Sequence, residues 1–457
     1  MEKIKKSVWQ QIDENEKEKI YAYGEDYKNF LDKAKTEREA TSFIIEKAKE
    51  KGFIELKEAL KNKIKKGDKI YVNNKNKSLA LFVIGDDLEE GMNIVGSHID
   101  SPRLDVKQNP LYEDSELAFL KTHYYGGIRK YQWPTIPLAI HGIIINKNNE
   151  KFEIAIGEDE NDPIFYITDL LPHLSADQNK KPLSEAITAE SLNVIVGHSS
   201  YGSKEKENPI KKFVLQYLNE KYNMVEEDFA IAELEVVPAS KARDVGFDRA
   251  MVAGHGQDDR VCSFANLYAL LQVENPKITA VGLFVDKEEI GSVGNTSMNS
   301  AFFENALAEI LANQKNYSDL LLRRSIANSK VLSADVIVAL DPDFKEVSDD
   351  KNAALSGYGV AIAKYTGARG KSGSNDANSE FLREVVNKFN DNNVIWQTSE
   401  LGKTDQGGGG TIAYILAGKG AEVVDCGTAM LSMHAPYEIL SKADAYMTMK
   451  AYLAFLK

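Results

Sequence analysis

Val281-Gly-Leu-Phe-Val-Asp-Lys-Glu-Glu-Ile-Gly-Ser-Val-Gly294 is the stretch of this sequence that decides the fold. It starts inside an apolar run, Ile278 to Val285, that predicts a buried strand. Two adjacent carboxylates, Glu288 and Glu289, follow the strand and precede a glycine-rich turn. Because neighbouring side chains on extended backbone point to opposite sides, one carboxylate could bind a metal while the other carries protons. On its own, such a pair is more often the solvated end of a strand.

Other apolar segments also bring metal-type ligands to their ends. The ligands are His98 with Asp100, Asp258 with Asp259, Asp335, and His434 in a loop after the strand Ala421 to Cys426. In open α/β sheets, ligands bind outside the carboxyl ends of the strands, so these side chains are expected to gather there. Two histidines and several carboxylates suit zinc or cobalt better than calcium, which prefers oxygen ligands alone.

Each of these residues also has an ordinary structural interpretation. His98 could be a hydrogen-bonded histidine at a strand end, and His434 could be a solvated loop residue. The aspartates could cap helices, which is the commoner role of Asp after a strand. Since one shared metal site explains all the positions together, we prefer it to five separate coincidences.

The sequence resembles the aspartyl aminopeptidase family of cytosolic dinuclear zinc exopeptidases, from about Thr36 to the C-terminus. The resemblance is carried by His98-Ile-Asp-Ser-Pro-Arg-Leu104, Tyr125-Gly-Gly-Ile128 with Trp133 and Pro137-Leu138, Leu171-Pro-His-Leu174, Glu288-Glu-Ile-Gly-Ser292, Ser333-Ala-Asp335, Gly410-Thr-Ile412 and Met433-His434. The Glu-Glu-x-Gly segment also fits related zinc aminopeptidases. The His-x-Asp-Ser-Pro and Leu-Pro-His-Leu segments distinguish this family from them.

The resemblance implies two zinc ions per subunit, for which cobalt or manganese could substitute. It implies that His98 ligates one ion and His434 the other, and that Asp258 bridges the two. Glu289 and Asp335 would complete the coordination, one on each ion. A bridging carboxylate suits a pair of ions because each of its oxygens can serve one of them.

The resemblance assigns three further residues beside the metals. Asp259 would follow Asp258 across a strained peptide bond that could be cis. Asp100 would accept the second ring N–H of His98 and thereby fix its tautomer. Glu288 would be the general base that takes a proton from the attacking water, a contribution typically worth about 10²–10⁴ in rate.

His173 lies in Leu171-Pro-His-Leu174. The resemblance implies that this histidine reaches into the active site of a neighbouring subunit, where it hydrogen-bonds the tetrahedral intermediate. The enzyme would then be an obligate oligomer, in this family a tetrahedral dodecamer. From the residues alone, a loop histidine packed beside Leu170 and Leu174 is the more ordinary interpretation.

Two glycine-rich loops could shape a substrate pocket, although both could also be surface turns. They supply the candidate substrate-binding residues Lys364, Arg369 and Lys371 in one loop, and Gly410 and Thr411 in the other. Eukaryotic family members carry histidines where this chain has Val338 and Asp341. The resemblance implies an aminopeptidase with a preference for N-terminal Asp or Glu, and the departures at Val338 and Asp341 weaken that preference. The alternative is a dinuclear zinc aminopeptidase of broad or neutral, leucine-type specificity.

Two other classes of protein are weighed against this interpretation. A metal-binding scaffold without catalysis would keep the ligands and lose the base, but Glu288 is present. A nucleotide-binding α/β protein would need a P-loop, and the glycine run Gly407 to Gly410 lacks the lysine of that motif.

The composition limits the partners and the location. The net charge is −13, from 56 basic and 69 acidic residues, which argues against nucleic acid as a partner. The N-terminus lacks the apolar stretch of a signal peptide, and no apolar run is long enough to span a membrane. We therefore expect a cytoplasmic protein that acts on peptides with a free N-terminus. Cys262 and Cys426 are too few for a disulfide framework.

The order of segments predicts an α/β catalytic domain with a mixed sheet and helices on both faces, interrupted by a β-rich insertion. Residues 1–105 and 237–457 form the catalytic domain, and residues 106–236 form the insertion, with a role in oligomerisation or substrate binding. Thr36-Glu-Arg-Glu39 is a capping box that opens a helix. Within the insertion, Pro137 to Asn146 and Lys151 to Ile156 flank a polar turn, which is typical of a hairpin.

Overall fold

The structure is a computed structural model that describes residues 6–202, 206–315 and 317–457. The chain divides into two compact units. Unit 1 contains the described residues up to Asp100, together with Ala242–Met433 and Glu438–Lys457, and unit 2 contains Ser101–Lys241 and His434–Tyr437. The predicted domain bounds, 1–105, 106–236 and 237–457, stay a prediction. Within the three described ranges, no helix has both the length and the apolar character needed to cross a bilayer.

The described chain forms helices and strands throughout its length. The α-helices are α1 (Glu14–Lys33), α2 (Glu37–Glu50), α3 (Leu56–Ala59), α4 (Leu183–Ala186), α5 (Pro209–Tyr222), α6 (Gln257–Leu270), α7 (Phe302–Gln314), α8 (Asp319–Ala327), α9 (Ser379–Asp391), α10 (Ala413–Ala417) and α11 (Lys442–Leu456). The strands are β1 (Ile54–Glu55), β2 (Lys69–Asn74), β3 (Ser78–Val83), β4 (Met92–His98), β5 (Arg103–Asp114), β6 (Leu117–Tyr125), β7 (Leu138–Ile145), β8 (Lys151–Ile156), β9 (Val194–Gly197), β10 (Glu233–Pro238), β11 (Arg243–Val245), β12 (Met251–Gly254), β13 (Thr279–Val285), β14 (Lys330–Ser333), β15 (Ile337–Val338), β16 (Val360–Ala363), β17 (Trp396–Thr398), β18 (Glu422–Gly427), β19 (Ala429–Leu431) and β20 (Glu438–Ser441).

Unit 1 is built on a nine-stranded mixed sheet, in the order β1-β2-β3-β13-β4-β14-β18-β16-β17. Its centre is parallel, because β13, β4, β14 and β18 all run in one direction. The flanks are mixed, with β3 antiparallel to β13 and β16 antiparallel to β18. The predicted mixed sheet is confirmed.

Helices cover both faces of this sheet. Along β3, Leu79 and Leu81 lie in a core with α1, α2, α6, α9 and α11, whereas Ala80 and Phe82 lie in a second core with α3, α7, α8 and α10. Successive strand residues point to opposite faces, so a strand buried on both sides is apolar throughout. This explains why the central strands appear in the sequence as continuous apolar runs, and the prediction of helices on both faces is confirmed.

The start of α2 follows the predicted capping box. The Thr36 hydroxyl accepts the Glu39 N–H at 3.2 Å, and the Glu39 carboxylate accepts the Thr36 N–H at 3.0 Å. Both N–H groups are among those that a helix start leaves without an intrahelical acceptor. The sequence therefore located this helix start correctly.

A second sheet of unit 1 has five short strands, in the order β11-β12-β20-β19-β15. Within it, β20 is antiparallel to β12, so that Glu438 lies opposite Gly254. This register places β20 beside the start of α6. The sequence patterns did not predict this sheet, because its strands are only two to four residues long and such lengths carry little periodicity.

Unit 2 contains a six-stranded sheet, in the order β8-β7-β10-β5-β6-β9. The predicted hairpin is confirmed, since β7 and β8 pair antiparallel from Ile140 opposite Ile156 to Ile145 opposite Lys151. The unit also contains a helix that was not predicted, α5, which buries Ile210 and Val214 in the core of the unit. Pro209 at its first position and the four-residue spacing of those two side chains are sequence signals of a helix.

Candidate active site

The candidate site lies where the central parallel strands of unit 1 end. His98 is the last residue of β4, and Val285, the last residue of β13, lies directly opposite it. On the other side, Ser333 at the end of β14 is opposite Gly96. Because the three strands end at the same edge, the residues that follow β13 and β14 come together around His98. These residues include Glu288 and Asp335.

The His98 ring is surrounded by carboxylates. Its Nε2 lies 3.2 Å from Asp258 Oδ1, 3.7 Å from Asp335 Oδ1 and 4.0 Å from Glu288 Oε2. His98 with Asp258 and Asp335, and His98 with Glu288 and Glu289, are two groups whose ligand atoms lie within 4.8 Å of one another. The His98 side chain is fully buried, so the cluster lies inside the protein rather than on an exposed acidic surface.

Asp100 holds the other side of the imidazole. His98 Nδ1 lies 3.3 Å from Asp100 Oδ1 and 3.1 Å from the Asp100 carbonyl oxygen. The same carboxylate accepts the backbone N–H groups of Glu288 and Glu289, each at 3.2 Å. A carbonyl oxygen can only accept, so Nδ1 carries the proton and Nε2 faces the carboxylates. Asp100 thus links the orientation of His98 to the turn that carries Glu288 and Glu289.

The backbone at Glu288 and Glu289 differs from the expectation. The two residues were expected on extended backbone with their side chains on opposite sides. Instead, Glu288–Ile290 is a 3-10 turn, entered through Lys287 in the left-handed region at φ 67°. Successive side chains of a 3-10 turn are about 120° apart rather than opposite, and both carboxylates have an oxygen within 4.8 Å of a His98 ring nitrogen. The premise of extended backbone was wrong, because the chain turns as soon as β13 ends.

Asp258 and Asp259 lie at the start of α6. The peptide bond between them is cis. Asp259 Oδ2 accepts the backbone N–H of His98 at 3.3 Å, and the Asp258 N–H donates to Glu438 Oε2 at 3.1 Å. Both aspartates are buried. Asp258 presents its carboxylate to the imidazole, whereas Asp259 supports the main chain of the histidine.

Burial and crowding shift the pKa values of the cluster. Burial lowers the pKa of His98, but hydrogen bonds to Asp100, Asp258 and Asp335 outweigh it and hold this pKa well above its usual value. Burial raises the pKa of Glu288 to about 8, with the His98 imidazolium opposing the shift and the nearby aspartates adding to it. Burial, together with the charge of Asp335, raises the pKa of Asp259. So many buried carboxylates are stable as anions only with positive charge among them.

The donor set fits zinc. One imidazole nitrogen and several carboxylate oxygens are ligands that zinc accepts, and the hydrogen-bonded Nδ1 of His98 leaves Nε2 as the ligand atom. Calcium sites are formed by oxygen alone. The side chains that surround Nε2 could therefore hold a zinc ion.

Two of the predicted site residues lie in unit 2. His434 is partly exposed, and its Nδ1 lies 2.7 Å from the Gly127 carbonyl oxygen, so Nδ1 is the donor and Nε2 the basic nitrogen. His173 is exposed in the 3-10 turn Pro172–Leu174. Leu171 and Leu174 are 50% and 68% exposed. His173 and the neighbouring Leu170 and Leu174 are thus all exposed in this turn.

The candidate substrate-binding loops contact each other in unit 1. The Gly367 N–H donates to the Gly409 carbonyl oxygen at 2.7 Å. Lys364 follows β16 and lines a cavity of about 560 Å³ with Arg383 and Trp396. Lys371 lies 3.2 Å from Asp376 and 3.8 Å from the centre of the Tyr365 ring.

The remaining candidates in these loops differ in burial. Arg369 and Gly410 are exposed. Thr411 donates its hydroxyl to Asp425 Oδ1 at 2.6 Å. Asp425 lies on β18 opposite Ser333, and burial raises its pKa to about 6. Thr411 is thus anchored beside the strand that leads to Asp335.

Two residues near the cluster were not predicted, Asp425 and Glu438. Asp425 is in the apolar run Ala421 to Cys426, and Glu438 follows His434 by four residues. An acidic residue inside an otherwise apolar strand needs a partner when it is buried. An acidic residue next to apolar ones was therefore the sequence signal available for Asp425 and for Glu438.

Comparisons with known proteins agree along the chain. Residues 30–456 match the model of the family described as aminopeptidase I zinc metalloprotease (M18). The chain is 50% identical to a probable M18 family aminopeptidase 1 from Clostridium acetobutylicum, over 99% of this chain and 98% of the relative. It is similar to the crystal structure of an M18-family aminopeptidase from Thermotoga maritima, with a TM-score of 0.95, 44% identity and full coverage of both chains. The S. cerevisiae mApe1 dodecamer shares the fold at a TM-score of 0.75 and 21% identity, over 94% of this chain and 95% of that one.

Proposed function

The chain belongs to the M18 family of zinc metalloprotease aminopeptidases, and from that membership we propose that it removes N-terminal residues at a site with two zinc ions. It is thus an enzyme, and the interpretations as a metal-binding scaffold or a nucleotide-binding protein are set aside. The number of ions, their ligands and the specificity are the proposal. They are argued below from the residues of this chain.

The observation that carries the proposal is the buried cluster around His98. Asp100 fixes the ring, and Nε2 faces Asp258 at 3.2 Å and Asp335 at 3.7 Å. We assign His98, Asp258 and Asp335 to one zinc ion. A tautomer fixed by a carboxylate behind the ring is the usual arrangement of a zinc-binding histidine.

The second ion is assigned to Asp258, Glu289 and His434. Asp258 would serve both ions, because each of its carboxylate oxygens could bind one of them. The bond from His434 Nδ1 to the Gly127 carbonyl oxygen supports the assignment, since it leaves Nε2 with a lone pair for the metal. The structure of this chain also permits cobalt or manganese, which accept the same donors.

Glu288 is assigned as the general base. Bound zinc would polarise the scissile carbonyl and make a water acidic enough to be deprotonated near neutral pH. Glu288 takes the proton from that water and passes it to the leaving amine. Burial raises the pKa of Glu288 to about 8 in the protein without metal.

The substrates are peptides with a free N-terminus, and we propose a preference for Asp or Glu at the first position. A buried substrate carboxylate requires a cation, and Lys364, Arg369 and Lys371 are the basic residues of the loop assigned to this role. Asp376 already pairs with Lys371. This contact favours the alternative of a broad or neutral, leucine-type specificity.

We further propose that the protein self-associates as a dodecamer and that His173 acts in the site of a neighbouring subunit. The support is the exposed turn that carries it, where Leu170, Leu171 and Leu174 are 52%, 50% and 68% exposed. Contiguous exposed leucines are typical of protein interfaces. A cytoplasmic location, and the absence of nucleic-acid and membrane partners, stay predictions.

Metal content and specificity should be measured on one preparation. The purified protein should contain two zinc ions per chain and cleave peptides that begin with Asp or Glu. His434→Ala should fold, lose one of the two ions and retain little activity. Full activity in this variant, or one zinc ion per wild-type chain, would contradict the dinuclear site.

A further inference from the structure

The first residues of α6 do not have regular helical backbone torsions. Asp258 has φ −83° and ψ 109°, and Asp259 has φ −112° and ψ 34°. Gly256, which precedes the helix, has no side chain to cap it. The first N–H groups of a helix have no acceptor within the helix, so they require acceptors from another element.

Glu438 supplies such an acceptor from β20. The residue is 1% exposed, and its Oε2 accepts the Asp258 N–H at 3.1 Å. Its backbone carbonyl oxygen accepts the Gln257 side-chain amide at 2.6 Å. Gln257 in turn accepts the Tyr27 hydroxyl at 3.2 Å. Glu438 therefore binds residues 257 and 258 through both its side chain and its main chain.

The position of this main chain determines where the Asp258 carboxylate points. An Asp side chain has only two torsions between its Cα and its oxygens, so a displaced Cα displaces both oxygens. A carboxylate that serves two ions must orient both oxygens at once. Metal and catalytic sites lose function when a supporting residue lets a ligand move by about 1 Å.

We propose that Glu438 is a positioning residue, which holds the Asp258 backbone so that the Asp258 carboxylate can bind both metal ions. The proposal rests on the proposed function, because it takes Asp258 as the shared ligand. Glu438 touches neither substrate nor metal in this proposal. It acts only through Asp258.

Two conservative variants distinguish the effect of side-chain length at Glu438 from the effect of its charge. Glu438→Asp keeps the charge, but it is one methylene shorter and cannot reach the Asp258 N–H. Glu438→Gln keeps the reach and an acceptor oxygen. We expect Glu438→Asp to lower zinc affinity by about 10–100-fold, the usual effect of losing a residue that supports a ligand. Glu438→Gln should stay within about threefold, since a neutral acceptor is only moderately weaker than a charged one.

Zinc affinity should be measured by chelator competition on metal-free protein, with the thermal midpoint recorded alongside. The visible spectrum of the cobalt-substituted protein should also change in Glu438→Asp and not in Glu438→Gln. The matched control is Asp444→Asn, which alters another buried carboxylate that accepts two backbone N–H groups, from Gly357 and Gly359 at 2.6 Å. This control should lower the thermal midpoint and leave zinc affinity unchanged.

A folded Glu438→Asp protein with wild-type zinc affinity would overturn the proposal, as would a loss of tenfold or more in Glu438→Gln. If Glu438→Asp does not fold, Glu438→Met takes its place, because it keeps the side-chain length and removes the acceptor of the Asp258 N–H. Unchanged zinc affinity in that variant would also overturn the proposal. Asp258→Asn distinguishes failure of this proposal from failure of the proposed function. If Asp258→Asn keeps both zinc ions, the proposed function is wrong. If Asp258→Asn loses zinc but Glu438→Asp binds zinc like the wild type, only the role of Glu438 is refuted.

Discussion

Replacement of Asp100 should weaken zinc binding in two graded steps. The Asp100 carboxylate accepts three N–H groups: the His98 ring at 3.3 Å and the main chains of Glu288 and Glu289 at 3.2 Å each. Asp100→Ala removes the acceptor of both main-chain N–H groups, whereas the His98 ring keeps the Asp100 carbonyl oxygen at 3.1 Å. Each buried donor left without an acceptor costs about 1–3 kcal/mol, so the sum for the two is roughly 2–6 kcal/mol.

Asp100→Asn should cost much less. The Asn side-chain oxygen can replace Oδ1, which accepts the His98 ring N–H and the Glu288 N–H. The Asn NH₂ group then replaces Oδ2 and faces the Glu289 N–H, which it cannot accept. One donor loses its acceptor instead of two, which corresponds to about 1–3 kcal/mol. We therefore expect zinc affinity to fall by about 10–100-fold in Asp100→Asn and by more than about 100-fold in Asp100→Ala.

The assay is competition between metal-free protein and a chromogenic zinc chelator, at one pH for all variants. Asp87→Ala is the control, because Asp87 also accepts a backbone N–H, from Glu89 at 2.9 Å, but lies at the surface beside Lys315. It should bind zinc like the wild type. Wild-type zinc affinity in a folded Asp100→Ala protein would refute the claim that Asp100 orients His98.

Further predictions concern catalysis, assembly, specificity and pH. Glu288→Gln should bind metal and peptide normally but lose about 10²–10⁴ in kcat, whereas Glu289→Gln should lose metal; swapped phenotypes would reverse the two assignments. Mixing His173→Ala subunits with Glu288→Gln subunits should restore some activity, and a fully active monomer by light scattering would exclude action between subunits. The ratio kcat/KM should be higher for peptides that begin with Asp or Glu than for matched peptides that begin with Leu or Lys; a preference for Lys would contradict a cationic pocket. Because hydrogen bonds raise the pKa of His98 in the metal-free protein, zinc must displace a proton, and its affinity should fall as the pH is lowered. Calorimetry in two buffers of different ionisation enthalpy measures this proton release, and its absence would contradict a protonated His98.

The sequence predicted the central sheet well because its strands are buried on both faces. The run before Glu288 became β13, and the run before His98 became β4, its parallel neighbour. Continuous apolar character is a strong signal: β4 ends at His98, and Glu288 follows shortly after the end of β13. The same reasoning located Asp335 after β14 and Asp258 at the start of α6.

Local geometry was harder to predict. The turn at Glu288 depends on the left-handed backbone of Lys287, a residue type that gives no signal for this conformation. The hydrogen bond between Glu438 and Asp258 joins residues 180 positions apart, and β12 pairs with β20 across a similar separation. Such contacts form only in the folded protein, so a single sequence contains the residues without their pairing.

The separation of the cluster along the chain has a consequence for biosynthesis. His98 and Asp335 come together only because β13 and β14 pair with β4, and all of unit 2 up to Lys241 is translated between β4 and β13. A chain that emerges N-terminus first therefore has the edge of β4 long before it has the strands that flank it. At the proposed site, zinc would bind only after Asp335 has been translated, so bound metal would mark a chain whose central strands have paired.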